Sequence, residues 1–470
     1  MRAKRCALLA GAFALLIQAC SAPQEKPVPA LPIPAAGQLP DEVRMSWPGQ
    51  RWWQAWHDEQ LNHLVDATLA DHPDLAAARA RLAVAEAQAG LQKSRKGPEL
   101  DASASVNHER FSANSYIPPP YGGKVYDDTL LGLNGQWDLD FWGKQQAHIE
   151  ADLGEVRARQ FEAVAVEQTL AAEVVRTYVL YQLDLQRQEL IRKNSALIRQ
   201  QTELRSSRAK AGLQASDEQI HTQVQLLGQN ENAEQVESGL QLLRVRLQAL
   251  TGIKAAALQL HPIVLPAPVS GLPQHAGLDL LARRADLAAA RERVLVHWNQ
   301  RHAAHQAFYP DIRLSALLGF SSLQIDRLVN SGSFVAGVQP ALNLPLFDSG
   351  RLKQSYAVED AGLQQAVAQY RSVLTQSIFE VQQALEAAQS AQHQIGTLQD
   401  ELHRLTEAQQ DAEVRFDAGL SDSEPVIEAQ LAVLDLQNQT LNLRQQALGA
   451  HLDLIQALGG GFQDRRQALP

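Results

Sequence analysis

Cysteine is nearly absent from this chain of 470 residues. Only Cys6 and Cys20 occur, so a disulfide framework and a multi-cysteine metal centre are both excluded. No glycine-rich phosphate loop follows a strand-like run, no Gly-x-Ser-x-Gly turn occurs, and no carboxylate pair falls in a pattern suited to acid–base work. Fourteen histidines are present, yet His297, His302 and His305 sit on a predicted helix without the acidic companion that a zincin spacing requires. Enzyme chemistry, a metal site and a dissociable cofactor are therefore not expected. An excess of positive charge is missing as well: the formal net charge is −10, which offers a nucleic-acid partner little. Nor is there a run of about twenty apolar residues, the length a membrane-spanning helix needs.

The apolar run from Cys6 to Ile17 follows Arg2, Lys4 and Arg5 and is too short to span. That layout is a secretory signal. It ends at Ile17-Gln18-Ala19-Cys20-Ser21, which resembles a bacterial lipobox, with Gln18 where a small residue is more usual. Residues 1–19 are accordingly expected to be a lipoprotein signal peptide, and Cys20 the first mature residue, bearing a covalent lipid. Loss of Arg2, Lys4 and Arg5 takes the net charge from −10 to −13. Ser21, rather than an aspartate, resembles lipoproteins sorted to the outer membrane. Six prolines between Pro23 and Pro40 favour extended polyproline conformations, so residues 20–50 read as a tether between lipid and body.

Proline is also missing from Lys144 to Ala211. There Ile149, Leu153, Val156, Ala163, Leu170, Val174, Tyr178, Tyr181 and Leu185 recur at steps of three, four and seven, one buried stripe of a helix. Leu363, Val367, Tyr370, Leu374, Ile378, Val381, Leu385, Ala388, Ile395, Leu398, Leu402 and Leu405 repeat the pattern, and a sustained period near 3.5 is coiled-coil packing. A helix of nearly seventy residues would be roughly 100 Å long, a rod rather than part of a globule.

The chain is internally duplicated. Arg208-Ala209-Lys210-Ala211-Gly212-Leu213 is answered 207 positions later by Arg415-Phe416-Asp417-Ala418-Gly419-Leu420, and Asp74-Leu75-Ala76-Ala77-Ala78-Arg79 recurs as Asp286-Leu287-Ala288-Ala289-Ala290-Arg291. Gly212 and Gly419 suit the left-handed cap of a helix C-terminus, so each repeat is expected to hold a helical hairpin with its tip at the glycine. The expected organisation is a first repeat over 51–252 with strands at about 99–112 and 128–141, a linker or equatorial region over 253–276 marked by Pro262, Pro266, Pro268 and Pro273, a second repeat over 277–460 with strands at about 311–323 and 333–347, and a tail over 461–470.

Before each long helix the period changes to two. Leu131, Leu133, Trp137, Leu139 and Phe141 alternate with polar residues, as do Ile312, Leu314, Ala316, Leu318 and Phe320, and then Phe334, Ala336, Val338, Leu342, Leu344 and Leu346. One face is oily and the other wet. Leu100 to Phe111 is the weakest strand, small and polar, and rests mainly on the duplication. Runs of about eleven to fourteen residues suit a tilted bilayer crossing better than a soluble sheet. Phe141, Trp142, Phe308, Tyr309 and Phe347 gather at the strand ends, the pattern of an aromatic girdle. Four strands cannot close a barrel, so several copies of the chain must complete the wall.

Trp52-Trp53-Gln54-Ala55-Trp56 with Asp58 and Leu61, Trp137-Asp138-Leu139-Asp140-Phe141-Trp142-Gly143-Lys144, Asn343-Leu344-Pro345-Leu346-Phe347-Asp348-Ser349-Gly350-Arg351 and the two Ala-Gly-Leu tips together resemble the TolC-like outer-membrane factors, in their lipid-anchored, NodT-type efflux branch. The resemblance covers almost the whole mature chain. It implies a mainly helical fold with membrane β-structure: a long coiled-coil α-barrel continuous with a trimeric twelve-stranded transmembrane β-barrel, four strands per chain. It implies a homotrimer, held in the outer membrane with its helical tunnel in the periplasm, that meets a periplasmic adaptor (a membrane fusion protein) and an inner-membrane pump and conducts small toxic compounds. By the same resemblance Glu428 and Glu218 are candidates for a carboxylate ring that narrows the tunnel and favours cations, although helix-start acids also arise simply to stabilise a dipole. Arg208, Gly212, Leu213, Arg415, Gly419 and Leu420 are candidate adaptor contacts. The family's gate bonds are not reproduced, because Phe416 lacks a tyrosine hydroxyl, Ser421 replaces an arginine and Pro425 an aspartate.

Two rivals remain at this level: an exit duct for secreted proteins, and a pore-free coiled-coil structural or adaptor lipoprotein, which has no use for strands with an oily face. Cys20→Ser is expected to abolish incorporation of radiolabelled palmitate, and labelling that persists would place the acylated residue elsewhere.

Overall fold

The computed structural model describes residues 27, 29–32, 46–114, 119–213, 216–269, 271–273 and 276–464, without the side chains of 216–219, 277–279 and 281. Cys20 and the signal peptide lie outside the described residues, as do residues 465–470 of the tail. The helices are α1 (Glu59–Asp71), α2 (Pro73–Ser94), α3 (Lys144–Lys210), α4 (Ser216–Thr251), α5 (Ala276–Arg283), α6 (Ala285–Gln306), α7 (Arg351–Asp417) and α8 (Glu424–Ala457). The strands are β1 (Glu99–Arg110), β2 (Val125–Leu139), β3 (Asp311–Ser322) and β4 (Phe334–Asn343). Two compact units divide the chain, one chiefly Arg81–Gln160 with Ala289–Tyr370, the other Pro32–Ala80, Phe161–Ala288 and Arg371–Pro470. Each draws on both repeats.

The first unit is built on one antiparallel sheet in the order β1-β2-β3-β4. Directly opposed residues share a face, and the register carries an apolar face across all four strands. Ala104 opposes Leu131, Leu131 opposes Phe320, and Phe320 opposes Phe334; Ala102, Leu133, Leu318 and Ala336 form the next row. The reverse face is mainly polar, with Leu130, Leu317 and Val335 among its residues. Asp101 opposes Asn134, and Gln136, Ser315 and Gln339 form a row. There Asn134 Nδ2 donates to Ser103 Oγ at 2.7 Å and Arg313 Nε to Asp138 Oδ1 at 2.6 Å. Among the described residues the apolar face has no covering layer: Leu131, Leu133, Leu318 and Val338 are all exposed.

The strand ends differ from the sequence expectation in explicable ways. β1 owes its regularity to pairing rather than to its small polar side chains, since every residue from Glu99 to Arg110 has a partner on β2. β2 begins at Val125 rather than near 128, because Tyr126 and Asp127 still pair with Glu109 and His108. β4 ends at Asn343, short of the expected 347; Leu344 and Leu346 continue the alternation, but Pro345 between them has no N–H for a ladder.

Each strand-to-helix transition is fixed by an aspartate. Asp140 accepts from the backbone N–H groups of Gln145 and Gln146, at 3.0 and 2.8 Å, at the start of α3. Asp348 does the same for Gly350 and Leu352, at 3.0 and 2.8 Å, at the start of α7. These bonds satisfy amides that a helix N-terminus otherwise leaves open. Gly143 and Gly350 have φ of 77° and 85°, a turn that only glycine makes without strain.

In the second unit α3 is bracketed by polar bonds. Gln188 bonds Glu237 and Arg246 pairs with Glu173 on the α4 side, while Arg176 pairs with Asp453 and Arg187 bonds Asn442 on the α8 side. Beneath them Val174 and Tyr178 of the stripe read from the sequence, with Val175 and Leu183 beside them on α3, join Leu61, Leu64 and Val65 of α1, Leu247 of α4, Leu258 and Leu265 of the linker, and Leu448 and Leu452 of α8, whereas Leu153 of the stripe is exposed. Asp58 accepts from the amides of Gln60 and Leu61, and from Tyr178 Oη at 2.6 Å. Burial, and then this carboxylate, push the Tyr178 hydroxyl pKa far up.

After α8 the chain runs through Gly459, Gly460 and Gly461, with φ of 94°, 56° and 88°. A β-carbon on Gly459 would fall on the Arg283 carbonyl, one on Gly460 would press on Gln168, and one on Gly461 would fall on the Gly49 carbonyl. Three glycines are needed because three other segments pass this close. The N-terminal segment is held here, with the Arg283 guanidinium 4.4 Å above the Trp47 ring and Trp52 and Trp53 in the core. Gly461→Ala is expected to lower the melting temperature sharply, while Gly396→Ala, mid-helix with open space around it, should raise it slightly, by about 0.5–1 kcal/mol of helix propensity. Circular dichroism melts check both, and equal melting temperatures would contradict this packing.

Candidate functional site

The belt where strands become helices gathers the predicted aromatics. Trp142 Nε1 donates to Pro310 O at 2.8 Å, and its ring stacks on Tyr309 at 5.2 Å. Phe141, Trp142, Tyr309 and Phe347 are exposed, whereas Phe308 is half-buried. The histidines nearby act as packing rings: His302 stacks on Trp298, and His305 meets Tyr309 and Tyr356 edge-on. Among the described residues no group of histidine, cysteine, aspartate and glutamate could hold a metal ion, and no helix is long and apolar enough to cross a membrane.

The two hairpin tips close identically. Gly212 N–H donates to Ala209 O at 3.0 Å and Leu213 N–H to Arg208 O at 2.9 Å; Gly419 N–H donates to Phe416 O and Leu420 N–H to Arg415 O, both at 2.9 Å. With φ of 73° at Gly212 and 68° at Gly419, these are Schellman caps. Capping accounts for the glycines but not for the leucines beside them. Leu213 and Leu420 are each 79% exposed, so both repeats hold the same apolar side chain in water.

Behind the tips lies a charge cluster that joins the two repeats. Arg205 Nε donates to Glu424 Oε1 at 2.6 Å, Arg205 Nη2 to Glu428 Oε1 at 3.3 Å, and Arg205 Nη1 to Thr222 Oγ1 at 3.3 Å. Arg208 pairs with Asp422 at 2.6 Å and with Glu424. Partial desolvation works against the charged form of Arg208, but Asp422 and Glu424 outweigh it and raise its pKa. Glu424 and Arg205 are both largely shielded from solvent, where a charge-assisted bond is stronger than on open surface. Arg205 is thus the hub that ties α3 to α4 and to α8.

This arrangement qualifies the residues expected from sequence. Glu428 is half-exposed but shares Arg205, so part of its negative field is cancelled within the chain. The side chain of Glu218 lies outside the described residues. Arg208 faces Asp422 and Glu424, leaving Leu213, Leu420 and the exposed Arg415 as the freer tip groups. Pro425 stands in the first turn of α8, where its missing N–H costs nothing, and Ser421 Oγ is buried without a hydrogen-bond partner among the described residues. Sequence reading missed Arg205, Asp422 and Glu424. Their signal was the i, i+3 spacing of Arg205 and Arg208 on one helix face; comparison of the repeats hid it, because Ala412 stands 207 positions after Arg205.

Arg205→Gln is expected to speed amide hydrogen exchange at 200–213 and 420–428 about tenfold or more, since each charge-assisted bond lost releases its partner. Exchange unchanged at both tips would show that the cluster does not hold them.

Residues 64–253 and 278–460 match the family described as outer membrane efflux protein. The multidrug resistance outer membrane protein MdtQ of Escherichia coli O6:H1 is 33% identical over 441 residues, covering 90% of this chain and 91% of its own. In three dimensions, the outer membrane protein VceC from Vibrio cholerae superposes with a TM-score of 0.79 at 30% identity over 89% of this chain and 100% of its own. The CmeC outer membrane channel of Campylobacter jejuni shares the fold, with a TM-score of 0.79 at 21% identity over 95% of this chain and 96% of its own.

Proposed function

The chain belongs to the outer membrane efflux protein family, and from that membership we infer that it is the outer-membrane exit duct of a tripartite efflux system, passively conducting small toxic compounds that an inner-membrane pump delivers through a periplasmic adaptor. The observation that carries this reading is the sheet, whose apolar face is exposed along its whole width while β1 and β4 each have a neighbour on one side only. Backbone groups in hydrocarbon must all be paired. With β1 and β4 at opposite edges and all neighbours antiparallel, β4 of one copy can pair with β1 of the next in the same sense. Three copies then give a twelve-stranded barrel, within the size range of bacterial barrels, with its polar face toward the lumen.

The belt of Phe141, Trp142, Tyr309 and Phe347 then lies at the inner membrane–water boundary, with Phe308 behind it, and Cys20 adds a lipid anchor. Leu213, Gly212, Leu420, Gly419 and Arg415 form the adaptor-facing tips, with Arg208 supporting them from within. Glu428, three times around the axis, narrows the tunnel, its charge moderated by Arg205. Small compounds rather than secreted proteins are favoured as cargo because the relative MdtQ is named for multidrug resistance.

Threefold hollow particles are expected in electron micrographs of detergent-purified protein. A monomer soluble without detergent would overturn the duct reading. In planar bilayers Glu428→Gln should weaken cation preference and Arg205→Gln should strengthen it, since the first removes the negative charge and the second uncovers it. Reversal potentials unchanged in both would remove Glu428 from the conducting path.

A further inference from the structure

The hairpin formed by β1 and β2 turns at the end of the sheet remote from the start of α3, and there the polar face carries aromatic rings. Glu109 opposes Tyr126 and Asn107 opposes Asp128, which puts these four side chains on the polar face. Phe111 continues the alternation onto it, its N–H donating to Lys124 O and its carbonyl accepting from Gly123 N–H. The Phe111 and Tyr126 rings lie 5.6 Å apart, and Tyr121 and Tyr126 5.8 Å apart. Tyr126 Oη donates to Pro120 O at 3.3 Å, holding the turn against the rings, yet Tyr121 remains exposed.

Charge on this face favours cations. His108 and its partner Asp127, 2.6 Å apart, sit on the apolar face. Arg110 shares that face, and its Nε is turned to Gly123 O at 3.3 Å. Beside the rings stand two carboxylates, Glu109 and Asp128, and one cation, Lys124. Packing of the turn accounts for Phe111 and Tyr126, which are half-buried, but not for the exposed face of Tyr121. The exposed Tyr121 ring, backed by the half-buried Phe111 and Tyr126 with carboxylates alongside, is suited to a flat, positively charged molecule, which gains both ring-face attraction and Coulomb energy.

We propose that Phe111, Tyr121 and Tyr126, with Glu109 and Asp128, form a binding site for planar aromatic cations at the outer mouth of the barrel. This rests on the duct reading, which turns the polar face toward the lumen, and it adds a place where departing molecules pause after the pump has released them. In a closed ring three such sites face one passage, so an occupant obstructs ion flow.

The test uses the full-length lipidated protein in planar bilayers, with ethidium added on the side of the β1–β2 turn. Block should be concentration-dependent, while pyrenesulfonate, planar but anionic, and tetrabutylammonium, cationic but not aromatic, should block at least about threefold more weakly. Each variant's block is scaled to its own open conductance. Tyr126→Ala should raise the half-blocking ethidium concentration about three- to tenfold, and Glu109→Gln, which leaves every ring in place, about two- to threefold. Conductance that ethidium leaves untouched, block equal for all three probes, or block unaltered in both variants would overturn the site while leaving the duct standing. Absence of any conductance would overturn the duct reading and the site with it.

Discussion

A peptide group in hydrocarbon has no water to turn to, and this constraint governs everything else in the chain. A four-stranded sheet with an oily face satisfies it in its middle and violates it at both margins, since among the described residues β1 and β4 each lack a second neighbour. The protein therefore cannot be read as a finished object. Its alternation, its exposed apolar rows and its aromatic belt are parts of a surface that only further copies complete. The aspartates at the strand-to-helix transitions belong to the same account, because the amides released where a ladder stops and a helix begins are taken up by Asp140 and Asp348.

The hairpin tips solve the opposite problem. Out in water, backbone groups at a helix end are easily satisfied, and what must be fixed is position. Long helices with short links between them would splay at their ends; the Arg205 cluster fastens α3, α4 and α8 near their tips. It does so with three carboxylates, Asp422, Glu424 and Glu428, against two guanidinium groups, Arg205 and Arg208, so the cluster itself keeps residual negative charge. Holding and tuning of the local field are done by the same few side chains.

Much of this could be seen in the amino acids themselves. The long helices announced themselves because proline is missing and the apolar stripe holds its period, and the tips because Ala-Gly-Leu occurs twice. Period-two alternation marked β2, β3 and β4, since a half-buried strand imposes it. β1 was nearly invisible, because its side chains are small and its order comes from a neighbour distant in three dimensions only as far as one hydrogen bond. Arg205 escaped for a related reason: its meaning lies in Glu424 and Glu428, more than two hundred residues away, and periodicity reports only what a residue shares with its own helix. The triple glycine after α8 reads as a loop in sequence, whereas its purpose is to let Arg283, Gln168 and Gly49 approach.

Duplication has one numerical consequence. Leu213 and Leu420 stand at the same exposure on tips closed by the same bonds, so a ring of three chains presents not three exposed leucines but six that are nearly alike. A wall of threefold symmetry thereby carries a rim whose symmetry is nearly sixfold, an outcome of the internal duplication alone.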